Sequence, residues 1–336
     1  MSIASITLDH GSGGKMSHRL ISGTLLSYFT NPVLAKLDDG AVLEINGARI
    51  AFSTDSYTVD PIFFPGGDIG ELAVNGTVND VAMCGAMPLF LSCGIIMEEG
   101  FPVSDLKSIL ESMKHAAGRA KVDIVTGDTK VVPKGSVDKI FINTSGIGII
   151  SEGINVSGSN AVPGDKIILS GYIADHGVTI LSKRENISFE TSVKSDTAPL
   201  NSMVKNILET EKNIHVLRDP TRGGVGTTLN EIAAASRVGI KIYEDKIPLR
   251  DETRGICELM GFDPLYMANE GKLLVIVPEN CSDDVLSAVR EDESGKDAAI
   301  IGEVTAESRG AVYMQTTIGG ERIIDMLAGE QLPRIC

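Results

Sequence analysis

The sequence contains no tryptophan, its aromatic residues amount to 4% of the chain, and no apolar run has the length that a membrane-spanning helix needs. The first residues, MSIASITLDHGSGG, reach polar residues and glycines before a signal-type apolar core could form. We therefore expect no membrane segment, and we expect the protein to work in the cytoplasm.

Basic residues are also scarce. The chain has 30 Lys and Arg residues against 45 Asp and Glu residues, which gives a formal net charge of −15. The basic residues form no cluster that could follow a phosphate backbone, as a protein that binds nucleic acid requires. We expect no nucleic-acid partner.

Cysteine pairs of the CxxC type are missing. The five cysteines are scattered along the chain: Cys84, Cys93, Cys257, Cys281 and Cys336. Their odd number and their spacing favour neither a disulfide framework nor a structural zinc site, and they fit a reducing compartment. Cys84 and Cys93 lie among small and apolar residues and are predicted to be packed thiols. Cys336 is the final residue, so we expect its thiol to be exposed.

Glycine, in contrast, is abundant, with 36 residues in a chain of 336. This length exceeds that of one typical domain and predicts two α/β domains. Strand patterns over residues 49–55, 122–128 and 139–150 alternate with helical patterns, one capped by Asp68 and one running from Leu106. This alternation predicts an α/β fold built on mixed sheets.

The second half of the chain repeats the alternation. The segments KIILSG, KLLVIV and AAIIGEV read as strands, and helices are predicted after Gly177 and in GTTLNEIAAASR. The segment SGSNAVPGD reads as a connector, which places one domain at residues 1–155 and another at 156–318. Residues 319–336 show no strong period and are predicted to form a mobile tail ending in Cys336.

The segment DHGSGGK, residues 9–15, is rich in glycine and could present backbone N–H groups to phosphate oxygens. It matches neither the Walker pattern nor the dinucleotide fingerprint, and a flexible arm is the alternative. His10 in this segment and His176 each stand in an Asp-His-Gly triplet and are better placed for a site than the other histidines.

Carboxylates recur at predicted strand ends and beside small residues, where α/β folds bind ligands. They are Asp38, Asp39, Asp55, Asp80, Asp128 and Asp219. Held together they would repel one another, and Mg²⁺ bridging carboxylates to phosphates would relieve that repulsion. Asp80 shares a predicted helix face with Ala73 and Gly76, which we interpret as room for a ligand. Alternatively, each Asp is a cap or a turn residue.

Four further charged residues are candidates for chemistry on phosphate. Lys130, Arg218 and Arg222 could neutralise phosphate charge, or could form surface ion pairs instead. Glu270, in ANEGK before a predicted buried strand, could be partly desolvated and act as a base, or could be an ordinary loop residue.

These motifs match a known family. The segments DHGSGGK, FSTDSYTVDPIFFPGGDIGELAVNGTVNDVAM, EEGF, TGDTKVV, RDPTRGG, ANEGK and the terminal PRIC resemble the HypE family, the carbamoyl dehydratases of nickel-iron hydrogenase assembly, nearly from end to end. The STD, NDVA and GGV elements are shared with a wider superfamily of aminoimidazole ribonucleotide synthetase, selenophosphate synthetase and thiamine-monophosphate kinase. The PRIC ending is specific to the HypE family.

The resemblance implies a two-domain fold and a homodimer in which the N-terminal sheets pair into a barrel, with ATP and Mg²⁺ bound near that interface. It implies a nucleotide site made of His10, Gly11, Gly13, Gly14, Lys15, Asp55, Asn79, Asp80, Asp128 and Arg222. It implies metal contacts from Asp38, Asp55, Asp80, Asp128 and Asp219, with Asp39 as the alternative to Asp38. The catalytic residues that it implies are Cys336, Glu270 and Lys130.

The resemblance also implies the reaction. HypF would place a carbamoyl group on the Cys336 sulfur, the chain would use ATP to dehydrate the resulting thiocarboxamide to a thiocyanate, and the cyanide would pass to iron on a HypC–HypD complex. Two alternatives stay open: a superfamily kinase or synthetase that acts on a free small molecule, and a nucleotide-sensing scaffold that only carries a thiol-bound group.

Overall fold

The computed structural model describes residues 5–11, 13–185, 192–329 and 334–336. The N-terminal arm contains α1 (Lys15–Leu20), a π-helical turn (Ile21–Leu25) and α2 (Leu26–Tyr28). It is followed by β1 (Ala41–Ile45), β2 (Ala48–Tyr57), β3 (Phe63–Phe64), β4 (Gly67–Asp68), α3 (Ile69–Met83), β5 (Ala86–Glu98), α4 (Val103–Ala120), β6 (Asp123–Val132) and β7 (Ile140–Ile150).

Five of these strands form one sheet in the order β1-β2-β7-β5-β6, with β5 and β6 parallel and the other neighbours antiparallel. Side chains alternate between the two faces of the sheet, and the buried face packs against α3. This helix begins as predicted at Asp68, whose carboxylate accepts hydrogen bonds from Gly70 N at 2.8 Å and Glu71 N at 3.0 Å.

The other face of this sheet is apolar and open. Its large side chains are between 38% and 52% exposed: Phe52, Met87, Phe90, Ile96, Ile147 and Ile149. Strand β6 forms one edge of the sheet and is exposed from Asp123 to Val131. A face of this kind is typical of a surface that pairs with another protein surface.

The C-terminal part of the chain forms a second sheet flanked by helices. Its elements are β8 (Lys166–Leu169), α5 (Asp175–Arg184), α6 (Asn201–Thr210), β9 (Val216–Arg218), α7 (Gly224–Ser236), β10 (Gly239–Tyr243), α8 (Asp251–Met260), β11 (Leu274–Val277), α9 (Ser282–Glu291), β12 (Ala299–Thr305), β13 (Val312–Gln315) and β14 (Glu321–Ile324). The strand order is β14-β13-β10-β12-β8-β11-β9, and only the β10–β13 pair is parallel. Buried aliphatic side chains from both faces of the central strands make its core.

The first sheet ends at residue 150 and the second begins at residue 166, so the predicted domain boundary at residues 155 and 156 falls between them. The prediction of a mobile tail from residue 319 is wrong for Glu321–Ile324, which pair with β13 as an antiparallel strand. The prediction of an exposed terminal thiol is also wrong, because Cys336 is only 8% exposed. Residues 330–333, within the predicted tail, lie outside the described residues. None of the helices in the described residues is both long enough and apolar enough to cross a membrane.

Candidate active site

Carboxylates from both domains surround the junction between the two sheets. Asp55 lies on β2, Asp80 in the last turn of α3, Asp39 before β1, Asp219 after β9 and Glu270 before β11. Burial raises the pKa of each of these five groups, and repulsion by neighbouring carboxylates adds to the shift in all of them except Asp55. We refer to them as the carboxylate cluster.

The electrostatics of the cluster show how closely its members interact. After burial, the charges of Asp219, Asp55 and Asp39 are the main causes that raise the pKa of Asp80. Burial raises the pKa of Asp219 to about 6, against the attraction of Arg218. Because the members repel one another, a cation or a protonated group at this place would be stabilised.

Ser53, which the sequence did not single out, joins two parts of the cluster. Its Oγ lies 2.8 Å from Asp80 Oδ2 and 2.9 Å from the carbonyl oxygen of Asp39. Arg218 lies at the edge, with Nε 2.8 Å from Asp39 Oδ1 and Nη2 donating to Glu231 at 2.8 Å. The guanidinium of Arg218 is therefore already paired.

Glu270 is held by a second residue that the sequence did not single out. Its backbone N–H donates to Asp196 Oδ1 at 3.0 Å, and Lys272 Nζ lies 3.2 Å from Asp196 Oδ2. Burial is the largest cause of the raised pKa of Glu270, followed by the charges of Asp196 and Asp219. The predicted desolvation of Glu270 is confirmed. Asp196 is more than seventy residues away along the chain, so no local pattern could reveal this contact.

Cys336 lies in the wall of a cavity of about 340 Å³, together with residues of the arm and Arg222. Thr58 N donates to the Cys336 carbonyl oxygen at 2.9 Å. Burial raises the pKa of the thiol; Arg222 opposes that shift, and the charges of Glu270 and Asp55 add to it. The charge of Cys336 is the largest cause of the raised pKa of Arg222. The end of the chain therefore lies within the electrostatic field of the carboxylate cluster.

The glycine-rich arm folds against the C-terminal domain. Gly13 has φ +78°, and a Cβ there would lie 2.9 Å from the Arg222 carbonyl oxygen; a Cβ on Gly14 would lie 2.2 Å from that of Leu327. Lys15 N donates to the same Leu327 oxygen at 2.8 Å. Only glycine permits so close an approach, which gives Gly13 and Gly14 a structural reason to be there. Ser12 lies outside the described residues.

Two arm residues contribute polar groups to the cavity wall. The Gly11 carbonyl oxygen accepts from Arg222 Nη1 at 3.3 Å. His10 is buried; its Nδ1 accepts from Thr7 N at 3.0 Å, and among the described atoms its Nε2 has no hydrogen-bond partner. With Nδ1 accepting, Nε2 carries the proton, so His10 offers a donor suited to an anionic ligand. The side chain of Lys15, in contrast, pairs with Asp325 at 2.5 Å.

Two other predicted residues connect the domains. Asp38 accepts from Ser157 Oγ and Gly158 N, each at 2.9 Å. Asn79 Nδ2 donates to the Ala198 carbonyl oxygen at 3.1 Å, and Asn79 Oδ1 accepts from Leu200 N at 2.8 Å. These bonds already occupy the Asp38 carboxylate and the Asn79 amide, which fasten the N-terminal domain to the C-terminal one.

Asp128 and Lys130 do not join the cluster within one chain. They are 68% and 64% exposed and lie 2.7 Å apart, and this pairing lowers the pKa of Asp128. Asp55 faces Thr144 on β7, which faces Cys93 on β5, which faces Gly127 on β6. That is three strand spacings, or about 14 Å, too far for both carboxylates to bind one ion. Asp128 follows Gly127, so its side chain lies on the opposite, open face of the sheet, whereas Asp55 lies on the face that packs against α3.

The interpretation of Ala73 and Gly76 as room for a ligand is wrong. A Cβ on Gly76 would lie 2.3 Å from Tyr57 Oη. The Ala73 carbonyl oxygen accepts from Thr144 Oγ1 at 2.7 Å, and both residues are fully buried. The small residues on this helix face receive the side chains of β2 and β7, because α3 packs directly on the sheet.

In the described part of the chain, no three His, Cys, Asp or Glu side chains are arranged to hold a metal ion. The predicted metal ligands therefore do not form a complete coordination set in one chain: Asp55, Asp80 and Asp219 belong to the cluster, and Asp128 lies outside it. The oxygen chemistry of the cluster nevertheless suits a hard cation, and Asp39 Oδ2 and Glu270 Oε1 are buried without a hydrogen-bond partner among the described atoms.

Comparisons with known proteins agree on the family. The model of the AIR synthase related protein N-terminal domain matches residues 37–150, and that of the C-terminal domain matches residues 162–315. The carbamoyl dehydratase HypE of Azotobacter vinelandii is 50% identical over 332 residues, which cover 99% of this chain and 97% of that protein.

Two solved structures are similar over nearly the whole chain. A HypE–HypF complex contains a chain that is 51% identical with a TM-score of 0.88, covering 92% of this chain and 99% of that one. A HypE in complex with ATP is 53% identical with a TM-score of 0.84, covering 99% of this chain and 100% of that one. On these grounds, the chain belongs to the HypE family of carbamoyl dehydratases, within the AIR synthase related proteins.

Proposed function

We propose that this protein uses ATP to dehydrate a carbamoyl group carried on the Cys336 sulfur, and so supplies cyanide ligands for hydrogenase iron. The observation that carries the proposal is the position of its own chain end. Cys336 is buried in a cavity wall beside Arg222, and Glu270 and Asp55 act on the pKa of its thiol. A group attached to that sulfur would therefore stand among candidate acid-base and phosphate-binding residues.

The chemistry needs an activated oxygen and an acceptor for protons. The amide oxygen is a poor leaving group, so transfer of the γ-phosphoryl group from ATP forms an O-phosphorylated imidate and ADP. Loss of the remaining nitrogen-bound proton, with breakage of the carbon–oxygen bond, then gives the thiocyanate and inorganic phosphate. Glu270 accepts a proton during these reaction steps, because a buried carboxylate with a raised pKa is a strong base once ionised.

The phosphate groups need positive charge and hydrogen-bond donors. Arg222 and His10 line the cavity, and the Arg222 guanidinium and the unpaired His10 Nε2 would donate to the incoming phosphates. Asp55, Asp80 and Asp219 would hold Mg²⁺, which would neutralise phosphate charge when bound. The structure of an ATP complex of a relative supports the nucleotide, and the repulsion within the cluster supports the cation.

A homodimer completes this arrangement. Pairing of two open sheet faces would bury the apolar side chains that are exposed in one chain. Asp128 and Lys130 lie on that same face, on the edge strand β6, and we propose that in a dimer they act from this edge at the site of the other copy. This accounts for two predicted site residues that one chain leaves outside the cluster.

The partners follow from the reaction and from the relatives. HypF would be the carbamoyl donor, as the HypE–HypF complex of a relative suggests. A HypC–HypD complex would accept the cyanide. Both roles, the cytoplasmic location and the magnesium requirement remain predictions.

Mass spectrometry of the C-terminal peptide tests the proposal. The purified protein is incubated with HypF, carbamoyl phosphate, ATP and Mg²⁺, beside a Cys336→Ala control. We expect a carbamoyl adduct on Cys336 that loses the mass of one water only when ATP and Mg²⁺ are present. An unmodified Cys336 would contradict the proposal and would favour a kinase or synthetase of a free small molecule. A stable adduct with no ATP turnover would favour a nucleotide-sensing scaffold.

A further inference from the structure

The last residues of the chain pair with the segment after β2. Thr58 N donates to the Cys336 carbonyl oxygen at 2.9 Å, and Asp60 N donates to that of Arg334 at 3.2 Å. Arg334 Nε donates to the Thr58 carbonyl oxygen at 2.7 Å. This two-residue spacing is that of a short strand edge, so residues 58–60 hold alternate carbonyl groups of the chain end.

The carbonyl between these two is held from the other domain. His176, in the first turn of α5, is fully buried, and its Nε2 lies 2.8 Å from the Ile335 carbonyl oxygen. Since a carbonyl oxygen only accepts, Nε2 must carry the proton. Nδ1 lies 2.8 Å from Ser195 Oγ, which itself accepts from Thr197 N at 3.2 Å. The Ser195 hydroxyl is thus oriented to donate to Nδ1, which selects the tautomer that can hold Ile335.

We propose that His176 is a positioning residue for the chain end: its Nε2–H holds the Ile335 carbonyl oxygen and thereby fixes the adjoining Cys336 in the cavity. The inference rests on the proposed function for its significance, because a reacting group on Cys336 must meet Glu270 and the phosphates at one place. Its physical content, that His176 keeps Cys336 docked, can be tested without any dehydratase activity.

Hydrogen bonds from Arg184 also hold the chain end, so loss of the His176 bond should weaken its docking without abolishing it. Arg184 Nη2 donates to the carbonyl oxygens of Asp60 at 2.6 Å and Arg334 at 2.9 Å, and neither bond involves His176. Loss of the His176 bond should therefore increase the undocked fraction rather than unfold the domain. A buried hydrogen bond of this kind changes such an equilibrium by about five- to tenfold.

The test is the rate at which iodoacetamide alkylates Cys336 in the full-length, uncarbamoylated protein without ATP, followed by the mass of the C-terminal peptide. His176→Leu removes the donor, and His176→Gln keeps an amide N–H near the position of Nε2. His115→Leu, on the exposed side of α4, is the matched control. We expect alkylation at least about fivefold faster in His176→Leu, and close to wild type in His176→Gln and in the control.

Equal rates in His176→Leu and wild type would overturn the proposal. An equally fast rate in His176→Leu and His176→Gln would also overturn the proposal, because it would show that the N–H group does not hold the chain end. The buried thiol of Cys84 serves as an internal monitor. If Cys84 reacts faster in the same proportion as Cys336, general loosening of the fold explains the result and the positioning role is excluded.

A second measurement connects the inference to the reaction. On carbamoylated protein, the same shift in docking should slow the single-turnover loss of water in His176→Leu by at most about fivefold, the full effect requiring a carbamoylated chain end that is mostly undocked, with the ATP concentration for half-maximal rate unchanged and carbamoylation by HypF not slowed. If the wild type itself shows no dehydration, the proposed function fails while the alkylation result still decides the role of His176.

Discussion

The carboxylate cluster and the open face of the first sheet lie on opposite sides of the same strands and differ in what they lack. In the cluster, burial raises the pKa of every member although Arg218 is paired with Asp39, so the negative charge is not fully balanced. On the open face, Asp128 is exposed with its pKa lowered by Lys130, and the apolar residues around them lack a cover. A cation or a proton would stabilise the buried cluster, and contact with a second protein surface would stabilise the open face.

This difference explains why one chain assembles only part of the predicted site. Side chains on the helix face are gathered by the packing of α3 and by the C-terminal domain. Those on the open face can be gathered only by another molecule. Four experiments test this difference between the two sides of the sheet.

The largest effect is expected for Glu270→Gln on the buried side. Loss of the proton acceptor should slow conversion of the carbamoyl adduct by about 10²- to 10⁴-fold while HypF still carbamoylates Cys336. Single-turnover mass spectrometry of the C-terminal peptide measures both steps, and Glu307→Gln at an exposed position is the control. Undiminished conversion would remove Glu270 from the mechanism.

The open face is tested by the double substitution Phe52→Asp and Ile147→Asp. Two buried charges in the paired faces should abolish the dimer, and turnover should fall by more than about tenfold because Asp128 and Lys130 no longer reach a site. Sedimentation velocity and the dehydration assay give the two readouts. Ile318→Asp, at a 93% exposed apolar position in the C-terminal domain, is the control. A fully active monomer would show that the open face has no part in the site.

Gly76→Ala separates packing on the helix face from ligand binding. The added methyl meets the Tyr57 hydroxyl, so we expect the free energy of unfolding to fall by about 1 to 3 kcal/mol. Gly118→Ala in α4 meets nothing within 4 Å and should raise it slightly, as Ala does in an open helix position. Denaturant unfolding of both variants checks this. If Gly76→Ala left the free energy of unfolding unchanged, this face of α3 would have room for an added methyl group.

The smallest effect concerns pH. Asp219 has a folded pKa of about 6 against an ordinary value of 3.8, so it contributes stability below pH 3.8 that is lost as the pH rises through about 6. Between pH 5 and pH 7.5, without nucleotide or metal, the wild type should lose more unfolding free energy than Asp219→Asn, by about 1 to 2 kcal/mol. Equal losses in thermal unfolding at the two pH values would contradict the raised pKa.

Local patterns predicted much of this molecule. The cap at Asp68, the strands and the desolvated Glu270 follow from residue types and their neighbours in sequence. Contacts between distant segments could not be predicted in this way. The fit of Tyr57 against Gly76 depends on how α3 packs on the sheet, and the burial of Cys336 depends on Thr58, which is 278 residues away. The roles of Ser53, Asp196 and His176 became visible only when both domains were in place.

Mixing two inactive variants tests whether each site combines Cys336 and the buried cluster of one copy with Asp128 of the other. Cys336→Ala and Asp128→Asn are co-expressed with different tags, and the mixed dimer is isolated and carbamoylated. We expect the mixed dimer to dehydrate its single Cys336, because that site receives an intact Asp128 from the other copy. A mixed dimer as inactive as the Asp128→Asn parent would show that Asp128 serves its own chain and would rule out a site shared between the two copies.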